Sequence, residues 1–402
     1  MATTNEFLNS FGVNTHLAWR NWGDSPYGPS AYADTNRFSA ALEYIHIGKI
    51  RESLPSITWI PDAMDVLAQK GVKFNLISYA DYFSVADQVA MLRGFAESHP
   101  GAIVSVEGPN EPYNWPVNYG GMTGRQGALG FQAELYERIR QDDLLDGLRI
   151  YDVSDLAYTG PADAANFHAY NLSGGSGTAA ITGALVTITG GSTENVVLTE
   201  IGWSTGRDIV SRNVVSGVLA PWESVDEATQ ARETIKTLIS AFSMGIAETY
   251  IYELVDPFPR LTDSDLLWNF GLFNDDWSPK VAARALNAFG NILSDNTTGV
   301  VPASQAISPA TLFAGELKVL TLAHHANRTD FIVWDDTDTW NDARDIAMTH
   351  HLSPVTMRFN QVMSDILVYD PMAGSAPVAH LAGLGEMTMW VGAAPMIISV
   401  FG

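Results

Sequence analysis

Cysteine is absent from this chain of 402 residues, which removes disulfides, thiolate metal ligands and cysteine nucleophiles together. Basic residues are scarce: 22 Lys and Arg stand against 45 Asp and Glu, for a formal net charge of −23. Phosphate binding wants a Lys/Arg surplus on one face, so the balance argues against a nucleic-acid partner; neutral sugars or a cationic partner fit better. Long apolar runs are missing too. No segment reaches the roughly 18 consecutive apolar residues of a membrane helix, and no membrane insertion is expected. The opening Met1-Ala-Thr-Thr-Asn-Glu-Phe7 has neither a basic nor an apolar region and does not read as a secretory signal. The expected address is nevertheless export, alone or within a larger bacterial protein, with the cytoplasm as the alternative.

What is present is an alternation. From residue 11 to about 295, short apolar runs alternate with longer segments of helical period, the pattern of repeated β–α units around a parallel sheet. Eight strands are expected: Phe11–Leu17, Lys49–Leu54, Lys73–Ser78, Ile103–Glu107, Leu148–Val153, Asn166–Tyr170, Asn195–Glu200 and Glu248–Leu254. Helical spacing of apolar residues marks segments such as Asp34–Ile45, Val85–Glu97 and Asp226–Ser243 between them. After Asn296 the period shortens to two, with runs such as Lys318–Ala323, Pro354–Phe359, Ile366–Asp370 and Pro395–Phe401. The expected fold is a (β/α)8 TIM barrel over 1–295, followed by a smaller antiparallel β-sandwich over 296–402.

Two carboxylates stand out at strand ends, in Ile103-Val-Ser-Val-Glu-Gly-Pro-Asn-Glu-Pro112 and Val196-Val-Leu-Thr-Glu-Ile-Gly-Trp-Ser204. Cleavage of a glycosidic bond with retention needs one acid to protonate the leaving oxygen and one carboxylate to attack the anomeric carbon, about 5–5.5 Å apart. Glu111 and Glu200, at the ends of the fourth and seventh strands, suit that pair. Glu111 is the expected acid/base, its pKa raised by desolvation beside Trp115, and Glu200 the expected nucleophile. Asn110 can hydrogen-bond a sugar 2-hydroxyl as positive charge develops on the ring. A lone Asn-Glu-Pro is far more often a helix cap or a solvated loop; the second Glu at the seventh strand reverses that balance.

These phrases resemble the clan A glycoside hydrolases, and within that clan glycoside hydrolase family 39, a barrel followed by a β-sandwich. Ile50-Arg-Glu-Ser53 is similar to the second-strand arginine segment, which implies that Arg51 hydrogen-bonds the nucleophile and helps keep it charged. Phe167-His-Ala-Tyr170 is similar to the sixth-strand pattern, which implies that His168 and Tyr170 line the site, Tyr170 as a partner of Glu200. Gly271-Leu-Phe-Asn-Asp-Asp-Trp-Ser-Pro-Lys280, Val368-Tyr-Asp-Pro-Met-Ala-Gly374 and Gly392-Ala-Ala-Pro-Met-Ile-Ile398 extend the likeness toward the C-terminus. Tyr252 departs from it, standing where many clan members place a Trp. The implied activity is retaining hydrolysis of β-glycosidic bonds in a poly- or oligosaccharide. A transglycosylase using the same two Glu residues, or a non-catalytic polysaccharide-binding barrel, are the alternatives.

His16 could bond a sugar hydroxyl or be a structural hydrogen-bonder, and Glu253 could read a sugar or pair with Arg260. The expected top-face loops carry Trp19, Trp22, Tyr27, Tyr113, Trp115, Tyr119, Trp203 and Trp268, of which Trp115 and Trp203 are the first choices for stacking on sugar rings. Asp263-Ser-Asp265 and Asn274-Asp-Asp276 lack ordered ligand spacing, and the pairs His324-His325 and His350-His351 fall in the β-sandwich. No metal and no cofactor are expected.

Overall fold

The computed structural model describes residues 1–21, 29–156, 160–206, 211–215, 218–222, 224–259, 266–294, 310–313, 317–324, 328–341, 344, 346–348 and 352–402. Eight parallel strands, β1 (Phe11–Asn14), β2 (Lys49–Ser53), β3 (Lys73–Ile77), β4 (Ile103–Glu107), β5 (Arg149–Tyr151), β6 (Ala165–His168), β7 (Val196–Ile201) and β8 (Glu248–Ile251), form one sheet. The order is β5-β4-β3-β2-β1-β8-β7-β6. A parallel bridge between Tyr151 and Ala164 joins its two ends and closes the barrel. β1 and β7 are buried along their whole length, as strands covered on both faces must be.

Helices α1 (Thr4–Asn9), α2 (Thr35–Tyr44), α3 (Pro61–Gln69), α4 (Val85–Ser98), α5 (Gly124–Gln141), α6 (Gly177–Thr189), α7 (Glu227–Ser243) and α8 (Val281–Leu293) precede or follow the strands. Their starts follow local chemistry: side-chain oxygens of Asp34, Ser84, Ser176 and Asp226 cap free N–H groups at the N-termini of α2, α4, α6 and α7. The β5–β6 connection holds no helix among the described residues. No described helix is long and apolar enough to cross a membrane.

The C-terminal part is an antiparallel β-domain of sandwich type. Its strands are β9 (Ala310–Phe313), β10 (Leu317–Ala323), β11 (Arg328–Asp335), β12 (Ser353–Tyr369), β13 (Ala379–Val391) and β14 (Met396–Phe401). They run in the order β9-β12-β14-β11-β10, with β13 also on β12. The two strands expected at Pro354–Phe359 and Ile366–Asp370 are halves of the single strand β12. Its pairing with β13 breaks register between Arg358 and Met363, so the first half pairs β9 and the second pairs β14.

Period two explains how this domain joins the barrel. Along β11, Phe331 and Val333 enter the domain's own core with Val355, Met357 and Val400. The alternate residues Ile332 and Trp334 join the barrel's core, as do Leu322, Trp340 and Ile397. Polar groups cross the same seam: Lys236 Nζ on α7 donates to Thr337 O at 2.7 Å, and Thr339 Oγ1 donates to Glu233 Oε1 at 2.5 Å. The N-terminus adds a strap, since Ala323 N donates to Ala2 O at 2.9 Å. The expected boundary at 295/296 lies outside the described residues.

Candidate active site

Arg51, on β2, organises the barrel mouth. Its Nε donates to Glu107 Oε1 at 2.7 Å and its Nη1 to Asn14 Oδ1 at 2.9 Å. Nη1 also donates to Glu200 Oε1, and Nη2 donates to Asn110 Oδ1 at 2.7 Å. Glu107 in turn accepts from Asn75 Nδ2 at 3.0 Å. Groups from β1 and from β4 and its following loop thus fix one guanidinium, with Asn75 of β3 bracing Glu107, and the guanidinium fixes one oxygen of Glu200. The other oxygen accepts from the Tyr170 hydroxyl at 2.7 Å. Because Asn110 Oδ1 is taken by Arg51, its Nδ2 is the group able to donate to a ligand.

Glu111 follows β4 in a left-handed conformation with φ of 42°, unusual for a residue with a side chain. Its N–H donates to Ser154 Oγ at 2.8 Å, and its carbonyl accepts the N–H groups of Asn114 and Trp115, each at 2.9 Å. Its carboxylate accepts from Asn114 Nδ2 at 3.1 Å and meets His168 Nδ1 at 2.8 Å. The same Nδ1 is 3.6 Å from Glu200 Oε2 and 3.7 Å from Asp155 Oδ2. The two glutamates, far apart in sequence, therefore converge on one imidazole.

The charge state of Glu111 differs from the sequence expectation. Burial alone would raise its pKa, but the hydrogen bond and charge of His168, with Asn114 and Arg51, outweigh burial and hold it down to about 2. For His168, burial is outweighed by Glu200, Asp155 and Glu111, which raise it to about 9. Both shifts run in the direction that favours the proton of the pair on His168.

The ligand atoms of Glu111, His168 and Glu200 lie within 4.8 Å of one another, a spacing that could hold a metal ion. The chemistry of the set fits one poorly, because His168 Nδ1 and Glu111 are already engaged with each other and the Arg51 guanidinium already offsets the charge of Glu200.

His16 and Glu253 meet on the other side of the mouth. His16 Nε2 is 3.1 Å from the Tyr252 hydroxyl and 3.4 Å from Glu253 Oε2, and its ring stacks on Trp19 at 3.8 Å. Glu253 is 0 % exposed and accepts from the Tyr32 hydroxyl at 3.1 Å. It lies behind His16, off the cavity wall; Arg260, its expected partner, is outside the described residues.

A cavity of about 340 Å³ opens over β1, β2 and β3, bordered by Arg51, Asn110, Glu200, His16, Trp19 and Trp59. A larger depression of about 680 Å³ on Arg20, Asp34, Arg37 and Trp277 shares none of these residues.

One of the two stacking choices, Trp203, needs correction. Trp203 is 3 % exposed; its indole N–H donates to Gly175 O at 3.1 Å and its ring belongs to the barrel's core. The strand continues to Ile201, so Trp203 turns inward just beyond it. Trp115 is 69 % exposed, is not among the residues bordering the cavity, and donates its N–H to the Glu111 carbonyl at 2.9 Å. Trp22 and Tyr27 lie outside the described residues, as do Asp263, Asp265, His325, His350 and His351. Trp59, which sequence reasoning missed, sits at the end of the single-turn helix Ser56–Trp59 shortly after β2. The top-face loop rule applied to the other aromatics would have found it. Glu107 was also missed as the buried partner of Arg51, although it closes the same strand phrase.

No family model and no curated protein matches the sequence. Among solved structures, the chain is similar to a family 39 glycoside hydrolase from the gut symbiont Bacteroides cellulosilyticus WH2, with a TM-score of 0.63 and 13% identity over 100% of this chain and 82% of that one. It is similar also to the GH39 enzyme from Xanthomonas axonopodis pv. citri, with a TM-score of 0.59 and 13% identity over 100% of this chain and 95% of that one. The likeness spans the barrel and the β-domain together and concerns the fold.

Proposed function

We propose that the protein is a retaining glycoside hydrolase acting on β-linked sugars, with Glu200 as nucleophile and Glu111 as acid/base. One observation carries this reading: an oxygen of Glu111, from the loop after β4, and an oxygen of Glu200, on β7, lie within 4.8 Å of each other, a spacing that suits the about 5–5.5 Å of double displacement better than the roughly 6.5–9.5 Å of inversion. The solved structures similar in fold include a glycoside hydrolase, which supports the same class by analogy.

In the first step, a Glu200 oxygen bonds the anomeric carbon while the glycosidic C–O bond breaks and its electron pair stays with the leaving oxygen. That oxygen needs a proton, which in the free protein resides on His168. Glu200 contributes most among the charges that raise His168. As Glu200 becomes a neutral ester, this support is lost, and the proton passes from His168 Nδ1 through Glu111 to the leaving oxygen. In the second step Glu111 takes a proton from water as it attacks the ester, Glu200 regains its charge, and His168 is reprotonated. Acid delivery is thereby tied to bond formation at the nucleophile. Asn110 Nδ2 is positioned to donate to the sugar 2-hydroxyl, and Tyr170 and Arg51 orient the nucleophile.

The test is a screen of bacterial and plant polysaccharides and aryl β-glycosides, with Glu200→Gln and Glu111→Gln beside the wild type and the anomer of the first product read by NMR. Cleavage that vanishes in Glu200→Gln and yields the β-anomer first supports the assignment. Turnover unchanged in both variants, or initial release of the α-anomer, sinks it.

A further inference from the structure

The cavity opens on one side of the carboxylate pair. Glu200, Arg51 and Asn110 border it, whereas Glu111 does not. In double displacement the attacking carboxylate lies against the glycone ring and the proton donor lies beside the leaving group. A cavity leading from Glu200 across the ends of β1, β2 and β3 therefore holds sugar on the glycone side.

Its outer wall is aromatic. Trp59 and Tyr82 meet edge to face with ring centroids 5.0 Å apart, yet remain 41 % and 57 % exposed. Tyr79 braces Tyr82 at 5.8 Å, and Trp19 faces the cavity from the β1 loop with its ring held against His16. Large aromatic rings left open beside a polar cleft provide the broad apolar faces that sugar rings cover.

The charged groups bordering the cavity are already satisfied. Arg51 is committed to Glu107, Glu200, Asn14 and Asn110. The oxygens of Glu52 accept from Thr15 Oγ1 at 2.7 Å, Leu17 N at 2.8 Å, Ser53 N at 2.9 Å and Ser56 Oγ at 2.9 Å. His16 is driven down to about 3 by burial and by Arg51, and is neutral at working pH. Among the described residues of the wall, no cation is left to meet a uronic carboxylate and no anion to meet an amino sugar.

We propose that this cavity is a glycone-side subsite for a second, uncharged sugar ring seated on Trp59 and Tyr82, so that the protein recognises at least two neutral rings before the bond it cleaves. The glycone-side placement rests on the hydrolase reading above.

The experiment titrates Glu200→Gln calorimetrically with β-linked gluco-, manno-, galacto- and xylo-oligosaccharides of one to four rings, and with β-linked mannuronate and chitosan oligomers as charged counterparts. At least one neutral series should gain about tenfold or more in affinity between one ring and three. Trp59→Ala or Tyr82→Ala, added to Glu200→Gln, should abolish that gain, and Trp59→Phe should retain most of it, which separates a lost face from a lost fold. Tighter binding of a charged series, no binding of any neutral series, or a gain that survives both alanine substitutions overturns the proposal. Wild-type turnover of the same sugars is measured in parallel. Ladder binding through Trp59 without cleavage sinks the hydrolase reading and keeps the aromatic binding site; Glu200-dependent cleavage with a gain indifferent to Trp59 and Tyr82 sinks the subsite alone.

Discussion

Two carboxyl–histidine pairs stand at the same barrel mouth and hold opposite charge states. Glu111 and His168 are 2.8 Å apart, and Glu253 and His16 are 3.4 Å apart. In the first pair the carboxyl is held down to about 2 and the imidazole raised to about 9. In the second, the imidazole falls to about 3 and the carboxyl is pushed well above its ordinary range. Burial acts on both pairs in the same direction. The difference lies in the neighbours: His168 faces Glu200 and Asp155 as well as Glu111, whereas His16 feels the positive charge of Arg51. Glu253 is raised by burial and by the charge of Asp256, with Tyr32 and Lys280 only partly offsetting them. The residue type at a strand end therefore does not determine its chemistry; the sign of the surrounding charge does.

The comparison breaks first at the nucleophile. Glu200→Gln should lower kcat by about three orders of magnitude or more, measured on whichever aryl glycoside the wild type cleaves. Loss of the carboxylate also removes the leading charge that holds the proton on His168, so the His168 resonance should titrate at lower pH in this variant by NMR. A His168 titration unmoved by the substitution would argue against the coupling.

His168→Gln tests the pair itself. In the wild type the pair keeps one proton between about 2 and about 9, so kcat/KM should fall only as pH rises through about 9. Without His168, Glu111 must hold the proton alone, and the alkaline limb should move down by about two pH units or more. Stability follows with the sign worked out. The raised pKa of His168 contributes fully below the ordinary histidine value of 6.5 and is lost as pH rises through about 9. The depressed pKa of Glu111 contributes above its ordinary 4.5 and is lost as pH falls through about 2. Denaturation midpoints between pH 6.5 and 9 should therefore decline in the wild type and decline less in His168→Gln.

Strand ends were legible in the sequence because β-propensity and apolar runs stop there, and Glu111, Glu200, Arg51, His168 and Tyr170 all lie at or near such ends. What a one-dimensional pattern could not give was the count of neighbouring charges, and the Glu111 shift runs opposite to the expectation for that reason. It also could not give side-chain direction beyond the last strand residue, and Trp203, expected as a wall of the cleft, packs inward. Period two is visible in the C-terminal runs, but not that one face of β11 is covered by the barrel. The two tryptophans make this difference measurable: Trp203→Ala should cost about 3–5 kcal/mol of stability, whereas Trp115→Ala should stay within about 0.5 kcal/mol. Urea unfolding of both variants gives the answer, and similar losses for the two would contradict the packing.

The smallest effect is expected at Glu253, and its sign is the informative part. If the carboxyl is neutral in the folded state, Glu253→Gln exchanges one uncharged group for another of the same shape, and stability near pH 4.5 should change by less than about 1 kcal/mol. Above the ordinary glutamate value of 4.5, the unfolded wild type has released its proton while the folded form retains it. The folded state then binds more protons than the unfolded one, so wild-type stability falls as pH rises. Glutamine carries no such penalty. The variant should therefore gain on the wild type between pH 4.5 and pH 8, as read from denaturant midpoints at the two ends of that range. A variant that instead loses ground as pH rises would show that Glu253 is ionised in the fold, and that the contrast with Glu111 is false.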